Sequence, residues 1–214
     1  MMRFGCLGCL AVIVVAVILL AFGLGMVFLS INIFGTPETR PVAFSKADGY
    51  SAQQKLYETL LRQSGRSSRR DPIVLTEREA NAFLARHLEV AGVPLSPLTV
   101  RFQRGEIVVQ GQTVLRNLLR NPILARVAPY LPDRRLDQSV WVTLHGYVSL
   151  EPPSGASRYG ALTVTELELG RQPLGNFVLL ALMGPSGGGL LRWRVPATVE
   201  SVQIEDGHMI IRTR

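Results

Sequence analysis

The spacing of hydrophobic and polar residues changes along this chain, and each change marks an element. The first stretch has no period at all. Phe4 to Pro37 contains no charged residue, and its densest part runs from Leu10 to Phe28. About 20 helical residues cross a bilayer core of about 30 Å, so the run is long enough to span with some tilt. A cleaved signal peptide instead has an apolar region of about 7–15 residues before a small-residue cleavage site. Ala21, Gly23 and Gly25 resemble such a site, but the apolar run continues through Met26, Val27, Phe28, Leu29, Ile31, Ile33 and Phe34. An uncleaved transmembrane anchor with a short cytosolic tip, residues 1–34, is therefore expected.

Only Arg3 and the α-amine precede this span, while Arg40 and Lys46 follow it. A long domain is translocated largely regardless of its charge, and a three-residue tail suits a signal anchor. The expected address is the inner (plasma) membrane of a bacterial cell, crossed once. The N-terminus is cytoplasmic and residues 35–214 lie on the periplasmic or extracellular side. Cys6 and Cys9 precede the apolar run, whereas a lipoprotein signal places its cysteine after it.

Residues 35–50 carry Pro37, Pro41 and Gly49 and read as a linker. Ser51 then caps a helix to about Ser64, with an apolar stripe of Leu56, Tyr57, Leu60 and Leu61 and Gly65 as its stop. A basic loop follows over 65–72. Thr76 and Glu79 match a capping box, and Ala80, Phe83, Leu84, His87, Leu88 and Ala91 recur on one helical face up to Gly92 and Pro94.

The period then drops to two. Leu98, Val100 and Phe102 alternate with Thr99, Arg101 and Gln103, Arg104-Gly105 turns, and 106–114 returns, which predicts a hairpin. Residues 115–128 read as helical on both sides of Pro122. The clearest strand is 139–150, with Val140, Val142, Leu144, Gly146, Val148 and Leu150 on one face. In 159–169, Leu162 and Val164 share one parity and Leu167 and Leu169 the other, so a β-bulge or strong bend is expected near Thr165. Asp206-Gly207 joins a last hairpin, 198–205 with 208–212. The fold class is α+β: after the anchor, one extracytoplasmic domain over 51–214, with a curved, mostly antiparallel sheet packed on helices.

Gln172 to Leu191 is a second uncharged stretch of 20 residues. Pro173, Asn176, Pro185, Ser186 and its glycines break it, leaving Phe177–Met183 as a short helix that is apolar all round. Such a helix lies inside the fold or touches lipid. The order of motifs carries a resemblance. Leu75, Thr76, Glu77, Asn81 and Leu84 open a helix behind an anchor. Later come Leu169-Gly170, the Gln172-Pro173-Leu174 step, an apolar helix, and Val195-Pro196 before a closing hairpin. Over roughly 73–214 the chain resembles the YpmS-like small single-pass bacterial envelope proteins. More distantly it is similar to tubular lipid-binding (TULIP-like) domains, in which a curved sheet wraps helices around an apolar groove. Gly175 stands where a second proline is expected after Pro173-Leu174. The resemblance implies lipid or hydrophobic-ligand handling near a membrane and brings no catalytic residues.

Composition narrows the chemistry further. The 214 residues are 47% hydrophobic and 18% charged, with mean hydropathy +0.23, which excludes a disordered chain. Two cysteines and three histidines leave no disulfide scaffold, and His87, His145 and His208 sit on three separate elements, so no metal or other cofactor is expected. Gly184-Pro185-Ser186-Gly187-Gly188 is formally G-x-S-x-G, with Asp206 and His208 after it in hydrolase order. A nucleophile elbow needs a strand before the serine and a helix after it, and neither is predicted here. The same segment lacks a phosphate loop's Gly-Lys-Ser ending. Glu166 and Glu168 share a strand face in the manner of a solvated edge. The chain is read as non-enzymatic.

The net charge of +7 lies almost wholly beyond the anchor. Aromatic residues are 7%, and no nucleic-acid module is visible, so nucleic acid is not an expected partner. Anionic headgroups are the natural counterpart of a basic domain held at a bilayer, with Arg66, Arg69, Arg70, Arg134 and Arg135 as the candidate contacts. The expected function is binding or shielding of lipid-like molecules in an apolar groove lined by Val140, Val142, Leu144, Val148, Leu150, Phe177, Leu180 and Met183. The alternative is an anchored structural or assembly factor whose domain binds an envelope protein.

Overall fold

The computed structural model describes residues 17–21, 23–25, 27–28, 30–38, 40–91, 95–119, 129, 133–152, 158–175 and 191–214. The described residues of 17–33 form a helix, α1. Beyond it lie α2 (Lys46–Gln63), β1 (Ile73–Thr76), α3 (Glu77–Ala91), the β2–β3 hairpin (Leu98–Gln103, Glu106–Val114) and two single turns, α4 (Leu115–Leu118) and α5 (Asp133–Leu136). Then come β4 (Ser139–Leu150), β5 (Arg158–Leu169), β6 (Gln172–Leu174), β7 (Leu191–Val195), β8 (Val199–Glu205) and β9 (His208–Thr213). The architecture is α+β, and every strand pair is antiparallel.

Two sheets share the core. The larger runs β2-β3-β4-β5-β6, with β7 pairing the other half of β5; the smaller runs β1-β9-β8. Sequence parity gave β2, β3, β4 and both hairpin turns. It missed β1, whose four residues alternate buried and exposed and complete the smaller sheet against β9. The expected bulge is present. Val164 pairs with Gly146 and Glu166 with His145, so Thr165 is the extra residue that carries the apolar face from Leu162 and Val164 to Leu167 and Leu169.

Two helix predictions need correction. α2 starts at Lys46, so Ser45 and not Ser51 is its cap, and 46–50 leave the predicted linker. The reason is a capping box: Ser45 Oγ accepts from the Asp48 amide at 3.3 Å, and Asp48 accepts from the Ser45 amide at 2.7 Å. The Ser45 hydroxyl also donates to the Asp48 carboxylate at 2.7 Å, and with the Ser45 amide it holds that carboxyl below its usual range. On α3 the capping box of Thr76 and Glu79 forms as expected, but His87 is exposed and stacks on Phe83 at 4.0 Å. The expected residues Ala80, Phe83 and Leu84 do pack in the main apolar cluster, and Glu79, Asn81 and Ala82 are buried with them, but Ala85, Arg86 and His87 are all exposed because the helix leaves the core there. The side chains of Leu88 and Ala91 lie outside the described residues.

The all-round burial near the start of α3 has a structural cause. β2 is an outer strand, and its free edge would otherwise bury unpaired amides and carbonyls. Glu77 and Asn81 of α3 take the place of a neighbouring strand. Glu77 Oε1 accepts from Phe102 N–H at 2.7 Å, and Asn81 both accepts from Val100 N–H at 2.7 Å and donates to its carbonyl at 2.6 Å. Around this clamp Ala52, Leu75, Ala80, Val100, Phe102 and Ile204 form the main apolar cluster.

A second polar tie joins α2 to the smaller sheet. The Arg62 side chain, only 3% exposed, reaches Glu58 at 3.2 Å, the Asp71 carbonyl at 2.8 Å and Thr213 Oγ1 at 2.7 Å. A buried guanidinium is tolerable only when its donors are filled in this way.

Among the described residues no helix is long and apolar enough to cross a membrane. Residues 1–16, the first half of the expected anchor with Cys6 and Cys9, lie outside them. The described part of α1 is apolar on every side. Val17, Ile18, Leu19 and Leu20 are consecutive and exposed, as are Leu24, Val27, Phe28 and Ile31. Its C-terminal end is joined to the larger sheet. The Asn32 carbonyl accepts from Arg171 N–H at 2.8 Å, Arg171 Nε donates to the Thr36 carbonyl at 2.8 Å, and Arg135 lies 4.9 Å over the Phe34 ring. Gly170, at φ +61°, makes the approach possible, because a Cβ there would sit 2.3 Å from the Ile33 carbonyl oxygen.

Candidate functional site

A cavity of about 360 Å³ lies between the two sheets and α2. The larger sheet contributes Ile107, Val148, Leu150, Leu162 and Trp193. The smaller contributes Val199, Val202, Met209 and Ile211, and α2 contributes Leu56 and Thr59. Strand parity explains the lining. Val148 pairs with Leu162 and Leu150 with Gly160, which itself pairs with Trp193, so these side chains share the inward face. The Trp193 indole lies directly over Gly160, where a Cβ would come within 2.8 Å of Cε2. The hydroxyl of Thr59 donates to the Leu56 carbonyl at 2.6 Å, so it offers the space no free donor. Arg194, whose side chain is exposed, is the one charged residue of the lining; the rest of the surface is apolar and favours hydrocarbon. The volume falls within the usual range for small-molecule pockets, about 300–1,000 Å³.

Of the eight groove residues expected from sequence, Val148 and Leu150 line this cavity. Val140, Val142 and Leu144 share their strand face but lie outside it, toward the α1 end. Val140 and Val142 are buried there and Leu144 is half-buried. Phe177, Leu180 and Met183 lie outside the described residues, as does the Gly184–Gly188 segment. Most of the lining was missed. Ile107, Leu162, Met209 and Ile211 each sit in a visibly alternating strand, but parity alone does not say which two strand faces meet.

The five candidate headgroup arginines do not form one surface. Arg134 and Arg135 are exposed beside the end of α1, with Arg171, which sequence reading passed over. Arg66, Arg69 and Arg70 are exposed on the loop after α2, whose end is tied through Arg62 to Asp71 and Thr213. Thr213 pairs with Val199, whose carbonyl accepts from Arg158 of β5, so this loop belongs to the opposite end of the larger sheet. Nine residues of β4 separate the two ends, roughly 30 Å along the strand.

Three further titratable groups are engaged locally. His145 lies 3.4 Å from Glu106 and His208 3.2 Å from Glu205, while Asp206 accepts from the Arg104 amide at 2.9 Å. Among the described residues no three His, Cys, Asp or Glu side chains are placed to hold a metal ion. Glu79 is the most heavily bonded carboxylate. Burial pushes its pKa up, but Lys55, Ser51 and the Thr76 amide outweigh that and leave it below the usual range.

Neither protein-family models nor curated proteins give a match to this chain.

Proposed function

We propose that this chain is a membrane-anchored envelope protein whose domain holds a lipid-like hydrophobic molecule, without catalysis, in the cavity between its two sheets. The observation that carries the reading is the cavity itself: side chains from both sheets and α2, nearly all apolar, line a ligand-sized space that is open to solvent on one side. The uncharged run through residue 37 and the exposed apolar sides of α1 support the anchor. The YpmS-like motifs at Leu75–Leu84 and Leu169–Leu174 point the same way.

The test is mass spectrometry of lipid extracted from the full chain purified into lipid nanodiscs, together with photolabelling by an acyl chain bearing a diazirine. Labelling of peptides containing Leu150, Leu162 or Met209 is expected, and Leu162→Trp, which fills the space, should abolish it. Absence of label from these peptides in the folded wild-type protein overturns the reading.

The second reading, an assembly factor that binds a protein partner, is favoured by one feature. Phe44, Tyr50, Tyr57 and Leu60 are exposed on and just before α2. Exposed aromatic residues of this kind suit a protein interface.

A further inference from the structure

The apolar cavity adjoins a second space. Val148 and Val202, which line it, also line a cleft of about 720 Å³ whose other walls include Ile204 and the polar Arg104, Gln203, Glu205, Asp206 and His208. β3 begins at Glu106, so β4 beyond Tyr147 has no neighbour on that side, and β8 is the outer strand of its own sheet. The two unpaired edges form a seam. Its end is closed where Gly105 N–H donates to the Ile204 carbonyl at 2.9 Å and Gly207 N–H to that of Phe102 at 2.9 Å.

The cleft carries both signs of charge. Arg104 lines one wall and is exposed, and among the described residues its guanidinium makes no ion pair. Glu205 and Asp206 line the other wall, with His208 beside Glu205 at 3.2 Å. One oxygen of Asp206 takes the Arg104 amide, which leaves the second to face solvent or a ligand. A wholly anionic head would meet two carboxylates here. A neutral head could hydrogen-bond to either side but would bring no charge to match.

Resting on the lipid-binding reading above, we propose that the two adjoining spaces together take a single-chain amphiphile with a zwitterionic phosphate-containing head. The acyl chain passes Val148 and Val202 into the apolar cavity. The head stays in the cleft, its phosphate against Arg104 and its ammonium against Glu205 and Asp206. A space of about 360 Å³ holds about a dozen groups of water's volume, enough for one chain and not two.

The experiment offers the full chain in nanodiscs three probes with one identical photoreactive acyl chain: lysophosphatidylethanolamine, lysophosphatidylglycerol and monoacylglycerol. The zwitterionic probe should label peptides containing Val148 or Val202 about tenfold more than either rival, the worth of one charged hydrogen bond. Arg104→Ala should lower its labelling to the monoacylglycerol level, and Glu205→Gln should narrow its lead over the anionic probe. Both positions are exposed, so folding is retained. Equal labelling by all three, or preference for another head, overturns the head-group assignment and leaves the cavity reading standing. Labelling by none overturns both.

Discussion

Asn81 and Val100 are bonded side chain to main chain in both directions, at 2.7 and 2.6 Å, in a site where Asn81 is only 2% exposed. The carboxamide acts as one residue of a missing strand. Asn81→Leu keeps the volume but orphans a buried amide and a buried carbonyl, so it should cost about 2–5 kcal/mol in chemical denaturation. Phe83→Leu, on the half-buried side of the same helix, should cost less. Equal losses at the two positions would sink the strand-substitute account.

The joint between α1 and the larger sheet gives a second expectation. Gly170→Ala places a methyl group on a carbonyl oxygen and requires a left-handed backbone of a residue that resists it. The cost of about 1–3 kcal/mol falls on the joint. Hydrogen exchange should quicken at the Arg171 amide while the Val100 and Phe102 amides keep their protection.

The chain has two tryptophans, and they stand at opposite ends of the larger sheet. The Trp141 carbonyl accepts from Gly170 N–H at 2.8 Å beside the end of α1, whereas Trp193 lines the cavity. On the proposal that residues 1–34 anchor the chain in a bilayer, headgroup-attached nitroxide lipids should quench Trp141, read in Trp193→Phe, more strongly than Trp193, read in Trp141→Phe. Stronger quenching of Trp193 would place the Arg66–Arg70 end at the membrane instead.

Glu79 links stability to pH. Its folded pKa is lower than its unfolded one, so its contribution is fully present above the ordinary glutamate value of about 4.3 and is lost as pH falls through the folded value. Lys55 Nζ lies 2.7 Å away, and Ser51 and Thr76 complete the site. Glu79→Gln should lower stability at neutral pH by about 1–3 kcal/mol and flatten the pH profile of the thermal midpoint below about pH 4.5. An unchanged acid limb would assign that limb to other carboxylates.

The fold was legible wherever a local rule decided it. Asp206-Gly207 and Arg104-Gly105 fixed two hairpins, Thr76 with Glu79 fixed the start of α3, and the parity slip around Thr165 located an irregularity within one residue. Failures came where distant partners decided. β1 is too short to show a period and exists because β9 offers it an edge. His87 falls on the helical face that Ala80 and Phe83 define, yet α3 has left the core by Ala85, and the imidazole stays outside. Site prediction failed for the same reason: Val140 and Val148 are indistinguishable by parity, and only the position of the smaller sheet separates them.

Thr165 also divides the sheet by task. On one side of it β5 pairs with β7 and walls the cavity; on the other it pairs with β6 and meets α1. A single inserted residue lets both halves keep an aliphatic inner face while the strand changes direction between them. Deleting Thr165 would force one half to turn its leucines outward, so one residue that packs in neither half keeps both the α1 joint and the cavity wall in register.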